Sequence, residues 1–399
     1  MIPPKLRPYQ EECVSKMIWA RKLEGNDLIS MPTGSGKSLV ISELAKQLKE
    51  PILILVPSKE LLEQDKAKME HWTHVNVYSA GSNEKTVGNI TLSTIQSAYK
   101  HPELFTQFKV VIIDEADLLN PKNLDGMYNT MFKAMGMPKC YGLTATPFRM
   151  DSYYKRWGRL SWQLETVHTV KMLTRYRERF WTRMLYTCHA ADLVKEGYLA
   201  PLTYHMVNLV TQDKLSFNKS KSEFDLEDFE LKFNPFLSQT AYNISKTAGS
   251  VLVFCATITQ AENLQKFIAG SGVITATTKA KERTRLVAGF RDGSIRVVFN
   301  VGVLLTGFDK PDLENIVVAR PTRSLRLHMQ MLGRGMRRAP QKSTCHIIDL
   351  VGNIDVMGQA ETLRIEKIEE KWNVTTNTQP TGWHMKEIYT YQLKAPKPN

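Results

Sequence analysis

Cysteine is scarce in this chain, with five in 399 residues: Cys13, Cys140, Cys188, Cys255 and Cys345. No two of them form a Cys-x-x-Cys pair. That spacing speaks against a zinc site or a disulfide framework and points to a reducing compartment. No apolar run approaches the ~20 residues that a membrane-spanning helix needs. The opening Met1-Ile2-Pro3-Pro4-Lys5-Leu6 has no signal-peptide core. Acids are in the minority, with 40 Asp and Glu against 53 Lys and Arg, for a formal net charge of +13. A cation excess suits a polyanion such as nucleic acid, although a merely soluble basic protein carries the same balance. The chain is too long for one comfortable core, so two domains are expected.

What is present is Met31-Pro32-Thr33-Gly34-Ser35-Gly36-Lys37-Ser38. An apolar run, Asp27 to Met31, precedes it as a strand, and an amphipathic run, Ser38 to Leu48, follows as a helix. Strand, loop and helix are the context of a phosphate-binding loop. Gly34 and Gly36 let backbone N–H groups turn onto a polyphosphate, and the helix N-terminus adds positive potential. Lys37 is expected to reach the β and γ phosphates, and Ser38 to hold Mg²⁺. Thr33 and Ser35 complete the loop. One departure is Met31, which stands where the usual pattern has Gly. Upstream, Leu6-Arg7-Pro8-Tyr9-Gln10 precedes the first helix. The Gln10 amide offers a donor and an acceptor together, as an adenine edge requires.

Beyond the loop, apolar runs alternate with helical ones. Ile52–Val56, Val75–Tyr78, Ile90–Ile95, Val110–Ile113 and Tyr141–Thr144 read as strands, and Ser58 to His71 as a helix capped by Ser58. Such alternation means a parallel sheet, whose ligands sit at the carboxyl ends of the strands. The phosphate loop, Asp114-Glu115 and Thr144-Ala145-Thr146 all fall at such ends. An Asp at this place can bind Mg²⁺, and the adjacent Glu can take a proton from attacking water. From Val251 the alternation resumes as a second α/β domain without a phosphate loop. That domain carries Gln330, Arg334 and Arg337, which share one face if helical. Two guanidiniums on a face make an anion clamp, for γ-phosphate or for nucleic acid.

Between the domains, Arg149 to Leu199 is dense in cations and aromatics, among them Arg149, Trp157 and Trp181. Cations on phosphates with aromatic faces on bases would hold a single strand. The other reading is a helical insertion whose aromatics are its own small core. The expected division is 1–148 for the first domain, 149–200 for a helical basic and aromatic insertion, and 201–245 for an interdomain segment. The second domain then covers 246–365, and a polar tail 366–399.

These motifs resemble the superfamily 2 helicases. The match runs through Leu6–Gln10, Pro32–Ser38, Pro57–Leu61, Thr94–Ser97, Asp114–Asp117, Thr144–Pro147, Val253–Ala256, Gly302–Asp309 and Gln330–Arg337, nine motifs in family order. Despite the literal Asp114-Glu115-Ala116-Asp117, the chain departs from the DEAD-box RNA helicases at Pro57-Ser58-Lys59-Glu60-Leu61 and at Thr144-Ala145-Thr146. It looks more like bacterial DNA-repair helicases of the RadD type, through Gly142 to Arg149, Thr306-Gly307-Phe308-Asp309 and Arg320-Pro321-Thr322. The Cys-rich extension of that type is absent, and a phage or mobile-element version fits.

The resemblance implies an α/β fold of two tandem RecA-like domains with parallel sheets. It implies ATP and Mg²⁺ as cofactors and hydrolysis coupled to movement on DNA in recombination, repair or replication. An RNA helicase is the alternative, and a nucleic-acid-activated ATPase that remodels complexes without unwinding is another. By the same resemblance Arg7 and Gln10 read adenine, Asp114 positions Mg²⁺, and Glu115 is the general base. Gln330 orients water or γ-phosphate, with Arg334 and Arg337 as fingers. Thr144 and Thr146 couple hydrolysis to domain movement, and Lys59, Thr94 and Ser97 touch the strand backbone. Gly307 and Asp309 lie near the ribose. A monomer in the cytoplasm, associated with the nucleoid, is expected, with no zinc and no membrane partner.

Overall fold

Runs such as Ile52-Leu53-Ile54-Leu55-Val56 offer water no polar face, so they are buried on both sides of a sheet. In the computed structural model, described for residues 5–71, 73–81, 84–123, 125–156, 164–177, 180–220, 222–303, 309–368 and 371–376, these runs build two separate parallel sheets. The strands of the first half are β1 (Asn26–Ser30), β2 (Ile52–Val56), β3 (Asn76–Tyr78), β4 (Ile90–Thr94), β5 (Val110–Asp114), β6 (Lys139–Thr144), β7 (Phe148–Arg156), β8 (Leu164–Met172) and β9 (Trp181–Thr187). Those of the second half are β10 (Leu202–Met206), β11 (Val251–Cys255), β12 (Gly272–Ile274), β13 (Val297–Asn300), β14 (Asn315–Ala319) and β15 (Cys345–Asp349). A last pair is β16 (Leu363–Ile368) and β17 (Lys371–Thr376).

The first sheet has the order β3-β4-β2-β5-β6-β1-β9, every neighbouring pair parallel. The chain divides into two compact units. One holds Met1–Arg149, Lys171–His189 and Ile365–Asn373, and the other the remainder. The second unit contains the sheet β10-β15-β14-β11-β13-β12, again all parallel.

Three expected boundaries are corrected. The segment 149–200 is not a helical insertion, because its described residues form β7, β8 and β9 with one short helix, Ala190–Lys195. β7 and β8 make a two-stranded sheet of their own. β9 joins the first sheet beside β1, and the reason is visible at its ends. Asp27 on β1 is fully buried and pairs with Lys139 Nζ at 2.7 Å and with Arg183 on β9. A buried carboxylate held by two cations sets the register of three neighbouring strands. Trp181 is fully buried, its ring edge-on to Phe180 at 4.9 Å. A Cβ at Gly142 on β6 would lie 2.3 Å from the Trp181 ring, so only Gly admits the indole there. Trp181 therefore cannot stack on a base. Of the two readings of the aromatics, packing is right for Trp181, and the core it joins is that of the first unit. Trp157 lies outside the described residues.

The segment 201–245 is no linker between domains. β10 pairs with β15, and the helices Leu226–Phe233 and Leu237–Lys246 follow within the same unit. β10 escapes an apolar reading because it is an edge strand with Thr203-Tyr204-His205-Met206 largely open to solvent. The described part of the tail is not a free extension either: β17 pairs with β16, and Arg175 Nη1 lies 3.5 Å from Asn373 Oδ1.

Trp181→Ala is expected to lower unfolding stability by about 3–5 kcal/mol through the cavity it leaves. Urea titration reads the loss. DNA affinity of the folded fraction is expected to stay within twofold of the parent.

Candidate nucleotide site

The phosphate loop follows β1 and enters α2 (Lys37–Leu48). Gly34 and Gly36 both have φ of +84°, the left-handed region that glycine adopts without strain. Gly36 is the residue just before α2, and a Cβ there would lie 2.5 Å from Gln10 Nε2. The loop is braced by α1 (Pro8–Ala20). Tyr9 Oη donates to the Ser35 carbonyl at 2.6 Å, and Gln10 Nε2 donates to the same carbonyl at 2.8 Å. Gln10 Oε1 accepts from Arg7 N at 2.9 Å, and Arg7 Nη1 donates to Tyr9 Oη at 3.3 Å. Gln10 is buried, and its remaining amide hydrogen is directed at Tyr9 Oη, 3.4 Å away. In this conformation Gln10 braces the loop, with Oε1 and Nε2 both engaged by protein partners.

Lys37 Nζ lies 3.4 Å from the Met31 carbonyl, folded back along the loop. Ser38 Oγ donates to Asp65 Oδ1 at 2.6 Å. Asp65 sits on α3 (Lys59–Met69), whose start is capped by Ser58 Oγ accepting from Leu61 N at 3.3 Å. The buried residues of α3 are Leu62, Asp65 and Met69, so an acid occupies the helix's buried stripe. That placement, an Asp at apolar spacing, was the signal for a site residue that motif reading overlooks.

Asp114 ends β5, and its Oδ1 is buried without a hydrogen bond, as is Asp65 Oδ2. Burial pushes the Asp114 carboxyl up to about 7, the neighbouring Asp65 carboxylate adds to the rise, and Lys37 opposes it. Burial likewise raises Asp65, against the Ser38 hydrogen bond, with Lys68 and Lys37 also lowering it. Glu115 has φ +51° and ψ +52°, a left-handed conformation costly for a side chain with a Cβ. It follows Asp114 directly and contributes to the raised titration of Asp65.

Among the described residues no group of three or more His, Cys, Asp or Glu is placed to hold a metal alone. A nucleotide-borne magnesium differs, because it brings phosphate oxygens and water and needs only one or two protein oxygens. Orphaned carboxylate oxygens beside a lysine and a hydroxyl fit that group. The loop with its left-handed glycines fits the polyphosphate.

Thr144, at the end of β6, donates through Oγ1 to Asp117 Oδ1 at 2.7 Å. Thr146 N donates to Thr144 Oγ1 at 3.0 Å, and Arg149 Nη1 donates to the Asp117 carbonyl at 2.7 Å. Strand end, acidic turn and the start of β7 are thus tied together, and Arg149 is engaged here. Thr94 and Ser97 are buried and bonded to each other at 2.8 Å, while Ala80 N donates to Ser97 Oγ at 2.9 Å. Lys59 is on the surface, 3.6 Å from Glu63.

In the second unit the helix Leu325–Gly333 holds Gln330, but it ends before the arginines. Arg334 is its C-cap and Arg337 lies beyond it, so the continuous helical face expected of the three residues is not formed. Just beyond the helix end, a Cβ at Gly335 would lie 2.8 Å from Cys345 Sγ and 3.0 Å from Leu202, so the chain runs close against the sheet there. Arg337 pairs with Asp309 at 2.6 Å, and burial lowers its titration against that carboxylate. Gly307 lies outside the described residues.

A glycine loop at the carboxyl edge of a parallel sheet, with acids at the neighbouring strand ends, defines a P-loop nucleotide-binding protein of two RecA-like units. Residues 3–149 match the family model of the type III restriction enzyme res subunit, and residues 235–339 that of the helicase conserved C-terminal domain. The chain belongs to the superfamily 2 helicases. It is 24% identical to IRC3 of Saccharomyces cerevisiae, named as an ATP-dependent helicase, over 88% of this chain and 52% of that protein. It is 26% identical to the DNA 3'-5' translocase XPB2 of Sulfurisphaera tokodaii, over 88% of this chain and 83% of the other. The chain thus spans about half the length of the first relative and most of the second. A solved structure of the ATP-dependent type ISP restriction-modification enzyme LlaBIII bound to DNA shares the fold. Its TM-score is 0.59 at 16% identity, over 88% of this chain and 28% of that one. No helix among the described residues is long and apolar enough to cross a membrane.

Replacing both loop braces, Tyr9→Phe with Gln10→Ala, leaves the buried Ser35 carbonyl without a partner, at a cost of about 1–3 kcal/mol. Titration with a fluorescent ATP analogue is expected to show roughly tenfold weaker binding by the double variant. Unchanged affinity would mean that the loop holds its shape unaided.

Proposed function

We propose that this chain is an ATP-driven motor on DNA, hydrolysing ATP at the first unit's phosphate loop and using the cycle to translocate along or remodel DNA. The observation that carries the reading is the convergence of Lys37, Ser38, Asp114 and Glu115 at one sheet edge, with Asp117 bonded to Thr144. In this reading Lys37 holds the β and γ phosphates, and Ser38 and Asp114 hold magnesium. That ion, when bound, neutralises phosphate charge. Glu115 orients the attacking water and accepts its proton. A change in the position of Asp117 would reach Thr144 through their hydrogen bond, and through Thr146 it would reach the start of β7.

By the family resemblance Arg334 and Arg337 are further candidate residues of the ATPase cycle. DNA as substrate is supported by the similarity to XPB2, a DNA 3'-5' translocase, and by the formal charge of +13. Arg149, at the start of β7, is a candidate for its phosphates. Lys59 adds an exposed cation, and Thr94 and Ser97 are proposed to touch the strand backbone. The protein is taken to act as a monomer in the cytoplasm, near the nucleoid.

Glu115→Gln is expected to lower ATP turnover by about 10²-fold or more while sparing DNA binding, and Lys37→Ala to abolish turnover. The deciding assay is ATP hydrolysis without nucleic acid, then with single-stranded, duplex and forked DNA and with single-stranded RNA. DNA is expected to stimulate turnover and RNA not to. Stimulation by RNA alone would replace this reading with that of an RNA helicase.

A further inference from the structure

We infer that Asp65 is a positioning residue for the magnesium of the nucleotide: it accepts the Ser38 hydroxyl hydrogen bond and thereby aims the Ser38 oxygen lone pairs at the cation. The inference rests on the nucleotide-site reading above and adds a residue to it. Its ground is the contact of Ser38 Oγ with Asp65 Oδ1 at 2.6 Å. A serine hydroxyl has one proton and two lone pairs. Once the proton is directed at Asp65, both lone pairs point away from α3 and remain available to a metal. A carboxylate acceptor also leaves more electron density on that oxygen, which strengthens it as a ligand.

A mere tie between α2 and α3 would not require an acid. A neutral acceptor would hold the same hydroxyl without taking a charge out of water. Asp65 is 3% exposed, and its second oxygen has no hydrogen bond. Asp114 repeats the pattern, 5% exposed with Oδ1 unpartnered. Two buried carboxylates near each other repel, and no hydrogen bond compensates these two oxygens. A divalent cation beside them removes both the repulsion and the desolvation cost. The known cations nearby, Lys37 and Lys68, act on both carboxylates, and Glu115 adds a third negative charge. Asp65 thus serves the cation in two ways, by orienting Ser38 and by adding negative potential next to Asp114.

The test is equilibrium binding of a fluorescent ATP analogue by the full chain, measured in EDTA and across a series of Mg²⁺ concentrations. Asp65→Ala is expected to raise the Mg²⁺ concentration at half effect by roughly 10–100-fold. Its metal-free affinity is expected to be equal to or tighter than that of the parent, because a negative charge near the phosphates is gone. Asp65→Asn keeps an acceptor for Ser38 and loses the charge, so a smaller shift of several-fold is expected. An unchanged Mg²⁺ midpoint in Asp65→Ala overturns the inference. So does an equal loss with and without metal, which is the mark of a purely structural tie. If Asp65→Ala does not fold, by circular dichroism and thermal melting, Asp65→Asn decides alone, and a midpoint within twofold of the parent overturns the inference. Failure of the underlying site reading looks different: the parent protein would not bind the nucleotide with magnesium, or Lys37→Ala would bind it equally well.

Discussion

A parallel sheet delivers the carboxyl ends of its strands to one edge, and in the first unit every strand of the sheet obeys that rule. The loop after β1, the acids after β5 and the threonines after β6 reach one neighbourhood only because β5, β6 and β1 are consecutive in the order β3-β4-β2-β5-β6-β1-β9. The same rule brings the start of α3, which follows β2, to that edge. Asp65, two turns into α3, therefore meets Ser38 at the start of α2. Chemistry at this site follows from the strand order more than from any single residue.

The edge also carries the unit's concentrated electrostatic cost. Asp65 and Asp114 are buried with an oxygen apiece lacking a hydrogen bond, and Glu115 holds a left-handed backbone conformation. A stability-optimised core would have neither. The strained glutamate follows Asp114 directly, and Asp65 is close enough to feel the charge of Glu115 and to act on Asp114. Clustering of this kind is what a site built for charged ligands requires, since the ligand supplies the missing partners. The contrast is Asp27 at the opposite end of β1. It is equally buried but ion-paired with both Lys139 and Arg183, and so it serves architecture.

The phosphate loop is braced from outside as well as by its own hydrogen bonds. The Ser35 carbonyl accepts two side-chain hydrogen bonds from α1, through Tyr9 and Gln10, and Arg7 closes the network on the Tyr9 hydroxyl. The segment Leu6–Gln10 thus acts on the shape of the loop itself, and any response of α1 to ligand would be felt by the glycines. At the other side, Thr144 and Arg149 hold the Asp117 turn by its side chain and its carbonyl. Loop and acidic turn are each braced by residues distant in sequence, which is why short motifs recur far apart along the chain.

By itself the sequence determined the class of fold and the centre of the site. Five-residue apolar runs between helical ones can only be parallel strands covered on both faces, and Gly34-Ser35-Gly36-Lys37-Ser38 after such a run can hardly be anything but a phosphate loop. Only the tertiary structure decided the rest. Trp181-Thr-Arg-Met-Leu-Tyr-Thr reads as basic and aromatic, because the bare chain does not reveal that Gly142 leaves room for an indole or that Arg183 finds Asp27. The edge strand β10 is too polar for an apolar pattern to reveal it. The helix carrying Gln330 stops at Gly333, and Gly335 beyond it packs close to Cys345 and Leu202, segments far away in sequence. Asp65 is inconspicuous in the sequence for the same reason. A motif names residue types in order, while the partner of each polar atom is set by which elements the sheet brings side by side.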